Sequence, residues 1–396
     1  MEATQGGMHP SASDALPLSG LLVLDFSQFL AGPSCALRLA DLGARVIKIE
    51  RPDGGDASRQ LCLGDLRFDA DSALFHAINR GKESYTADLK DPAQRERVLA
   101  LIARADVLIH NFRPGIMERL ELGYDALRGR NPRLVYAGVS GYGPDGPWRD
   151  RPGQDLLVQA LSGIACLSGD ADSPPVPAGL SITDMMAGAQ LAQGILALLV
   201  RRGVTGQGGR VDVSLIETAI DLQFEHLAVF LNSGGKMPHR SGVANGNIYL
   251  AAPYGIYATA DGFIALAMAP IDKLGMLLNL PPLLTFARQN WLSDRDSIKT
   301  VLRAHLAGAT TRHWLDILEP AGIWAAPVLR WHELMIEPAF ETLAATQAVR
   351  APDGSKLELT RCPIRVDGRI LTSDRAAPRL GADTDAIMAE FEDAPR

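Results

Sequence analysis

Short continuous apolar runs recur along the first third of the chain, and segments with helical spacing of apolar residues separate them. Continuous apolar runs are typical of strands that a parallel sheet buries on both faces. We predict such strands at 21–24, 45–50, 106–110 and 134–137. Helices are predicted between them at 32–42, 90–104 and 123–130. This alternation of strands and helices indicates the α/β class, with a doubly wound parallel layer.

The pattern changes in the middle of the chain. Apolar helices are predicted over 155–167 and 182–202, and a strand at 210–215 leads into a helix that ends near Ser233. Beyond a loop at 234–246, the turn 260–262 separates two short strand-like runs, which indicates an antiparallel hairpin. We therefore expect a flexible tail over 1–16, a large domain formed by 17–235 with 331–396, and a smaller α+β domain over 236–330.

Composition and charge exclude several classes of protein. The 396 residues are 47% hydrophobic and carry a net charge of −7, without a strongly basic stretch, which argues against nucleic acid as a partner. The longest apolar stretch, 194–200, is too short to cross a bilayer, so no membrane is expected. The four cysteines form no CxxC pair, so neither a disulfide framework nor a zinc site is expected, and the reducing cytoplasm is the expected compartment.

Common cofactor and catalytic motifs are missing from the sequence. The segment after the first predicted strand, 29–33, has one glycine and a proline in place of the GxGxxG fingerprint of dinucleotide sites. There is no Walker A motif and no GxSxG elbow, and His332-Glu333 is not followed by a second His at the spacing that zinc peptidases need. NAD, ATP, zinc and serine-nucleophile chemistry are therefore disfavoured, and no metal site is expected.

An ordered set of short segments resembles the class III CoA-transferase family, which also contains the α-methylacyl-CoA racemases. The matching segments follow the family's order along nearly the whole chain: 17–20, 25–26, 30–33, 41–52, 55–56, 79–82, 105–107, 111–115, 141–143, 183–184, 205–208, 261–262 and 378–381. The resemblance implies a Rossmann-like large domain with a small domain, and two chains interlocked as a homodimer. It also implies an acyl-CoA thioester as co-substrate, small carboxylic acids as partners, and no permanently bound cofactor.

Asp184 is the candidate catalytic residue. It lies at the start of the predicted apolar helix, where the helix dipole and free amides favour a negative charge, so we expect its carboxylate to stay ionised. An ionised carboxylate can attack a thioester carbonyl and expel CoA thiolate. By resemblance, Asp184 forms an aspartyl anhydride and then an aspartyl-CoA thioester, which keeps the thioester energy without ATP. The alternative is that Asp184 only caps its helix.

The resemblance also implies where CoA binds. The residues that would contact CoA are Leu30, Ala31, Arg51, Ala87, Lys90, Asn111, Phe112, Arg113, Arg119, Gln154 and Asp155. Arg and Lys suit the phosphates of CoA, and Arg51 follows a strand at the carboxyl edge of the sheet, where open α/β sheets bind ligands. The alternative for Lys90 and Arg119 is a solvated helix face. Gly242 and Gly246 belong either to the family's mobile glycine loop or to an ordinary linker.

Transfer and racemisation are the two chemistries of this family. In the racemases a His precedes an Asp in a Gly-His-Asp segment, and here the segment reads Gly153-Gln154-Asp155. Glutamine has no titratable group and cannot act as a general base, so the pattern favours transfer. Gln154 would instead hydrogen-bond a substrate oxygen or be solvated, and Asp155 would cap the next helix. A racemase-like isomerase and a non-catalytic acyl-CoA-binding protein stay as alternatives, and an oxidoreductase fits less well.

Few residues of the sequence indicate which carboxylic acids the enzyme would exchange. Formyl-CoA:oxalate transferases resemble this chain but have Gln where Leu30 stands, and Leu offers no hydrogen bond to a small second carboxylate. We therefore expect succinyl-CoA or another short acyl-CoA as donor and a longer dicarboxylate as acceptor, for example succinate with glutarate, itaconate or a citramalate-like acid. A distal carboxylate needs a cationic partner, and Arg59 and Arg240 are the candidates.

Overall fold

The computed structural model describes residues 15–392, which group into two compact units. The first unit comprises the chain up to Asp155, Ile182–Thr218 and the chain from Ala344 onward. The second unit comprises Leu156–Ser181 and Ala219–Leu343. Three segments expected in the large domain, 156–181, 219–235 and 331–343, thus group with the second unit. Of the expected tail, residues 1–14 lie outside the described residues, whereas Leu16 packs against Leu42, Cys362 and Leu371.

The strands are mostly short. They are β1 (Leu22–Asp25), β2 (Arg45–Glu50), β3 (Arg67–Phe68), β4 (Asp71–Ser72), β5 (Glu83–Thr86), β6 (Val107–His110), β7 (Val135–Ser140), β8 (Gly209–Ser214), β9 (Gly255–Ala258), β10 (Phe263–Leu266), β11 (Ala325–Pro327), β12 (Thr346–Arg350), β13 (Lys356–Thr360), β14 (Arg365–Val366) and β15 (Arg369–Ile370).

The helices range from single turns to one long core helix. They are α1 (Ala31–Asp41), α2 (Ala73–Asn79), α3 (Pro92–Ile102), α4 (Ile116–Arg119), α5 (Tyr124–Arg130), α6 (Asp155–Ser162), α7 (Ile182–Thr205), α8 (Leu215–Asp221), α9 (Phe224–Asn232), α10 (Ile271–Leu277), α11 (Arg295–Leu306), α12 (Thr311–Leu318), α13 (Trp331–Leu334), α14 (Pro338–Leu343) and α15 (Thr384–Glu392).

The first unit is built on a six-stranded parallel sheet with the order β5-β2-β1-β6-β7-β8. This sheet confirms the α/β prediction, and the predicted apolar runs correspond to β1, β2, β6 and β7. The structure adds β5, which pairs with β2 at the edge of the sheet and was not predicted because Glu83 and Ser84 interrupt the apolar pattern. One face of the sheet packs on α3, α5 and α15 through a core that includes Leu108, Leu127 and Ile387.

Helices α1 and α7 pack closely against each other in the first unit. Helix α1 follows β1, and α7 precedes β8, so both helices begin at the carboxyl edge of the parallel strands. The contact requires a glycine, because a Cβ on Gly188 would lie 2.6 Å from the Ala31 carbonyl oxygen and overlap the Ser34 hydroxyl. Length and composition alone would let α7 span a bilayer, but its Ala187, Leu191 and Ile195 are buried within this unit.

The second unit has a separate core under a three-stranded antiparallel sheet. The predicted hairpin forms here: β9 pairs with β10, with Tyr257 opposite Ile264, and β11 adds Ala326 opposite Ala265. Helices α10, α11 and α12 supply most of the remaining core, including Leu302 and Trp314. This unit is therefore of the α+β type.

Gly188 and Gly203, two of the three glycines of α7, should respond in opposite ways to substitution by alanine. Gly188→Ala should lower the free energy of unfolding by about 1–3 kcal/mol, because the added methyl group overlaps α1. Gly203→Ala should raise it by about 0.5–1 kcal/mol, because Gly203 is exposed with open space around it and alanine favours the helix. Urea unfolding of both variants measures the difference. Equal effects of the two substitutions would contradict the close packing at Gly188.

Candidate functional site

A cavity of about 190 Å³ opens at the carboxyl edge of the parallel sheet in the first unit. Residues that follow β1, β2, β5 and β6 line it, as expected for a ligand site of an open α/β sheet. The cavity brings together four of the residues that the resemblance assigned to CoA: Arg51, Ala87, Lys90 and Phe112.

Arg51 and Lys90 supply the positive charge at this cavity. Both residues are exposed, and Arg51 Nε donates to the Gly55 carbonyl oxygen at 3.0 Å. Within residues 15–392 neither side chain forms an ion pair, so both charges are free to meet a ligand. A guanidinium and an ammonium group at the rim of a cavity suit phosphate groups.

The turn between β1 and α1 forms another wall of the cavity through Ser27 and Gln28. Asn111, an expected CoA residue, holds this turn: its Oδ1 accepts from the Gln28 N–H at 2.9 Å, and its Nδ2 donates to the Gln28 carbonyl oxygen at 2.6 Å. Phe29 follows with a φ of 66°, in the left-handed region that a bulky residue rarely adopts. The observed contacts of the Asn111 side chain are thus with the turn backbone.

Leu30 and Ala31 lie where this turn enters α1. Leu30 is the residue before the helix, and no side chain caps the first turn of α1. Ala31 is buried, and Gly188 of α7 packs on its carbonyl group. Asp184 lies four residues before Gly188, on the same helix face, and therefore about one helical turn beyond this contact. The candidate nucleophile and the uncapped start of α1 thus lie at the same edge of the sheet.

Asp184 is the third residue of α7 and is half-buried. Its own backbone N–H donates to Asp155 Oδ1 at 3.2 Å. The same Asp155 oxygen accepts from the Thr183 N–H at 2.8 Å and from the Thr183 hydroxyl at 2.5 Å. Asp155, which begins α6, therefore caps the start of α7, whereas the sequence suggested a contact with CoA or a cap for its own helix.

Asp184 is only partly ionised at neutral pH, whereas the sequence predicted a fully ionised carboxylate. Burial, and secondly the negative charge of Asp155, raise the pKa of Asp184 to about 7. The N–H groups of Thr183 and Asp184 donate to the Asp155 carboxylate, so these two amides do not stabilise a charge on Asp184. Asp184 is thus a carboxyl group whose charge changes near neutral pH, which is typical of a group that reacts rather than one that only caps a helix.

The remaining expected CoA residues lie outside the first cavity. Arg113 lines a neighbouring cleft of about 500 Å³ together with His110 and Arg149, and Phe112 lines both cavities. Arg119 Nη1 and Arg149 Nη2 both approach Gly115. Gln154 is exposed and directly precedes the buried Asp155.

Gln28 and Asp56 also line the first cavity, although the sequence assigned neither to the site. The signal for Asp56 was present, since the segment 55–56 is one of those that match the family.

Neither arginine suggested for a distal carboxylate is available in this structure. Arg59 is buried and pairs with Glu50 at 2.7 Å and with Asp71 at 2.6 Å. Arg240 donates to the carbonyl oxygens of Ser168, Ala171, Ser173 and Pro174 in the second unit. Both suggestions are therefore corrected, because the fold engages each guanidinium with partners that no sequence pattern identifies.

The loop that contains Gly242 and Gly246 is tied down within the second unit. Ser241 donates to Asp296 at 2.5 Å, and Asn245 donates from its backbone to Asp170 at 2.8 Å. Lys299 Nζ donates to the Ala244 carbonyl oxygen at 3.0 Å. The observed loop is thus an anchored connection rather than a free flap.

Comparisons with known proteins agree with this geometry. A family model described as CoA-transferase family III matches residues 18–384. The chain is 31% identical to a succinate–glutarate CoA-transferase of Agrobacterium fabrum, over 95% of this chain and 96% of that protein. It is 34% identical to an acetyl-CoA:oxalate CoA-transferase of Acetobacter aceti, again over 95% and 96%. A crystal structure of a CAIB/BAIF family protein from Brucella suis superposes with a TM-score of 0.82 at 31% identity, covering 95% of this chain and all of that one.

The match of the family model extends over nearly the whole chain, and relatives with 31% and 34% identity each cover 95% of it. The chain therefore belongs to CoA-transferase family III.

Proposed function

We propose that this CoA-transferase moves CoA from a short acyl-CoA donor, such as succinyl-CoA, to a dicarboxylic acid acceptor by covalent catalysis on Asp184. The observation that carries the proposal is the environment of Asp184. Its carboxyl group is half-buried, has a pKa of about 7, and lies about one helical turn before Gly188, which packs on the start of α1. Within the described residues no donor hydrogen-bonds its carboxylate oxygens, so they are free to attack.

The reaction then proceeds in four steps. The ionised Asp184 carboxylate attacks the thioester carbonyl, and CoA leaves as thiolate, which produces a mixed anhydride. The thiolate attacks the Asp184 carbonyl carbon and expels the donor acid as carboxylate. The acceptor carboxylate attacks the aspartyl-CoA thioester and releases thiolate again. Thiolate attack on the acceptor acyl carbon produces the new acyl-CoA and regenerates the Asp184 carboxylate.

Other residues of the first unit would bind the rest of the acyl-CoA substrate. Arg51 and Lys90 would hold CoA phosphates at the cavity rim, and the backbone of Leu30 and Ala31 would face the thioester. Free N–H groups at the start of a helix stabilise the oxyanion that forms when a carbonyl is attacked. Gln154, exposed beside Asp155, would contact a substrate oxygen but cannot take a proton as the racemase His does.

The choice of acceptor rests on the relatives. The Agrobacterium fabrum relative is named for succinate and glutarate, which supports a dicarboxylate with several carbon atoms. The Acetobacter aceti relative is named for oxalate, so oxalate belongs in the acceptor panel although Leu30 offers it no hydrogen bond. Because Arg59 and Arg240 are engaged elsewhere, another cationic group has to meet the distal carboxylate.

We also propose that the enzyme acts in the cytoplasm as a homodimer of interlocked chains. All four cysteines are free, which fits a reducing compartment. Large apolar side chains are exposed in the second unit, among them Phe224 at 70%, Trp331 at 79% and Ile336 at 82%. Exposed apolar surface of this kind is typical of subunit interfaces, and closed twofold dimers are the commonest assembly.

The covalent mechanism predicts a trappable adduct on Asp184. The intact protein is mixed with succinyl-CoA and then treated with hydroxylamine, and the peptides are examined by mass spectrometry. A hydroxamate is expected on the peptide that contains Asp184, because hydroxylamine cleaves both the anhydride and the thioester. Asp184→Asn should lose the adduct and nearly all transferase activity, whereas Asp172→Asn, at an exposed carboxylate elsewhere, should keep both.

The alternatives make different predictions in the same assay. Absence of an adduct with a panel of acyl-CoA donors, together with deuterium exchange at the substrate α-carbon, would support the racemase-like isomerase. Tight CoA binding without adduct, exchange or turnover would support a non-catalytic acyl-CoA-binding protein.

The raised pKa of Asp184 predicts a pH-dependent rate. The value of kcat/KM should rise with pH through about 7, because the nucleophile must be ionised. In Asp155→Asn this rise should move to lower pH, since one of the two causes of the raised pKa is removed while the amide oxygen can still cap α7. A pH–rate profile of both proteins tests this expectation. A rise near the ordinary Asp pKa of 3.8 in the unsubstituted enzyme would contradict the assigned environment.

The interlocked dimer predicts that the assembly does not dissociate on dilution. Analytical ultracentrifugation should find twice the mass of one chain down to nanomolar concentration, because linked chains separate only by unfolding. An ordinary reversible dimer would dissociate on dilution, and a monomer at micromolar concentration would rule out the homodimer.

A further inference from the structure

Four charged side chains are completely or almost completely buried beneath the turn between β1 and α1. Asp25, Lys48 and Lys82 have no exposed surface, and Asp56 is 1% exposed. Lys48 Nζ lies 2.8 Å from Asp56 Oδ2, and Lys82 Nζ lies 2.8 Å from Asp25 Oδ2. Lys48 also lies 3.8 Å from Asp25, so the four groups form one network. We name these four residues the buried charge network.

The network holds the turn through its backbone. Lys48 Nζ donates to the Ser27 carbonyl oxygen at 2.7 Å, and Asp56 Oδ1 accepts from the Phe29 N–H at 3.1 Å. Lys82 Nζ donates to the carbonyl oxygen of Pro33 in α1 at 3.0 Å. The buried charges therefore contact the backbone of Ser27 and Phe29 in the β1–α1 turn. They also contact Pro33 in the first turn of α1.

Fold stability alone is a weak explanation for such a network. Removing charged groups from water is costly, and apolar side chains of similar volume often replace a buried ion pair without loss of stability. The turn is itself unfavourable, because Phe29 adopts a φ of 66° without being glycine. Strained backbone held by surrounding polar groups occurs preferentially at functional sites, and this turn lines the carboxyl-edge cavity.

We propose that Asp56, held in place by Lys48, is a positioning residue that fixes the Phe29 turn for attack at the thioester. This inference rests on the proposed CoA-transferase function and adds a residue to it. The Asp56 carboxylate uses one oxygen for Lys48 and the other for the N–H groups of Phe29 and Ser58. The fixed turn sets the direction in which the backbone of Leu30 and Ala31 meets the thioester. Asp56 thus acts on the reaction through the turn.

The β1–α1 turn lies between the cavity that would bind CoA and the helix that carries Asp184. Ser27 and Gln28 face the cavity that carries Arg51 and Lys90, and Ala31 lies against α7 one turn from Asp184. A shift of the turn would therefore change the placement of the thioester relative to the Asp184 carboxylate. Misplacement of reacting groups by about 1 Å can lower a rate by about 100-fold.

The test compares Asp56→Asn with Asp41→Asn. An amide has one acceptor oxygen, so the substituted side chain cannot serve both Lys48 and the Phe29 N–H. Asp41 is also a buried carboxylate of the first unit, paired with Arg80 at 2.5 Å and with Arg38 at 2.9 Å, and within residues 15–392 no hydrogen bond or ion pair joins it to the turn. We expect both variants to unfold at lower temperature. Only Asp56→Asn should lower kcat, by about 10- to 100-fold, measured well below the unfolding temperature.

Hydrogen–deuterium exchange gives a local readout of the same inference. In the unsubstituted enzyme the Phe29 amide should be protected, and Asp56→Asn should expose it while the Ser34 amide, which donates to the Leu30 carbonyl oxygen within α1, stays protected. If Asp56→Asn does not fold, Lys48→Met combined with Asp56→Leu removes both charges together with the acceptor of the Phe29 N–H, should fold, and should still lose kcat.

Two results would overturn the positioning role. One is rapid exchange of the Phe29 amide in the unsubstituted enzyme, and the other is a folded Asp56 variant with the kcat of Asp41→Asn. Failure of the proposed function would look different: the unsubstituted enzyme would transfer no CoA, while the exchange pattern would still report whether Asp56 fixes the turn.

Discussion

The close approach of α7 to α1 is the contact on which the geometry of the candidate site depends. Gly188 has no side chain, so the backbone of α7 reaches the first turn of α1 at Ala31. Both helices begin at the carboxyl edge of the same parallel sheet, and their first turns therefore meet there. Asp184, one helical turn before Gly188, is brought to that edge by the packing of the helices rather than by a loop. A candidate nucleophile on a packed helix is held more rigidly than one on a surface loop.

Asp155 has two separate effects at Asp184, one on the backbone and one on the pKa of the carboxyl group. Its carboxylate accepts from the N–H groups of Thr183 and Asp184, which holds the start of α7 in place. The negative charge of the same carboxylate, after burial, raises the pKa of Asp184. A neutral cap such as Ser would provide the hydrogen bonds without the repulsion. The use of a carboxylate therefore combines a structural cap with a shift of the ionisation of Asp184 towards neutral pH.

The sequence was sufficient to predict what depends on local pattern. The apolar runs of β1, β2, β6 and β7 are visible in the sequence, and so is the helix that carries Asp184. The edge strand β5 was missed because its pattern is polar at Glu83, and an edge strand needs less apolar surface. The pKa of Asp184 and the engagement of Arg59 could not be predicted, because Asp155 and Glu50 reach these residues only through the fold. Strands and helices repeat apolar residues at a fixed spacing, whereas electrostatic contacts between side chains follow no such spacing and cannot be predicted from it.

The raised pKa of Asp184 has a chemical consequence for the proposed anhydride. Thiolate can attack either carbonyl of the mixed anhydride and expels the carboxylate on the other side. The carboxylate of lower pKa is the better leaving group, and ordinary carboxylic acids have a pKa of about 4, well below that of Asp184. Attack at the Asp184 carbonyl, with departure of the substrate acid, is therefore favoured over return to the starting thioester. The same preference opposes the last step, in which thiolate attacks the acceptor acyl carbon and the Asp184 carboxylate leaves. Burial of Asp184 beside Asp155 would thus favour accumulation of the aspartyl-CoA thioester, and it also lowers the fraction of ionised nucleophile below neutral pH.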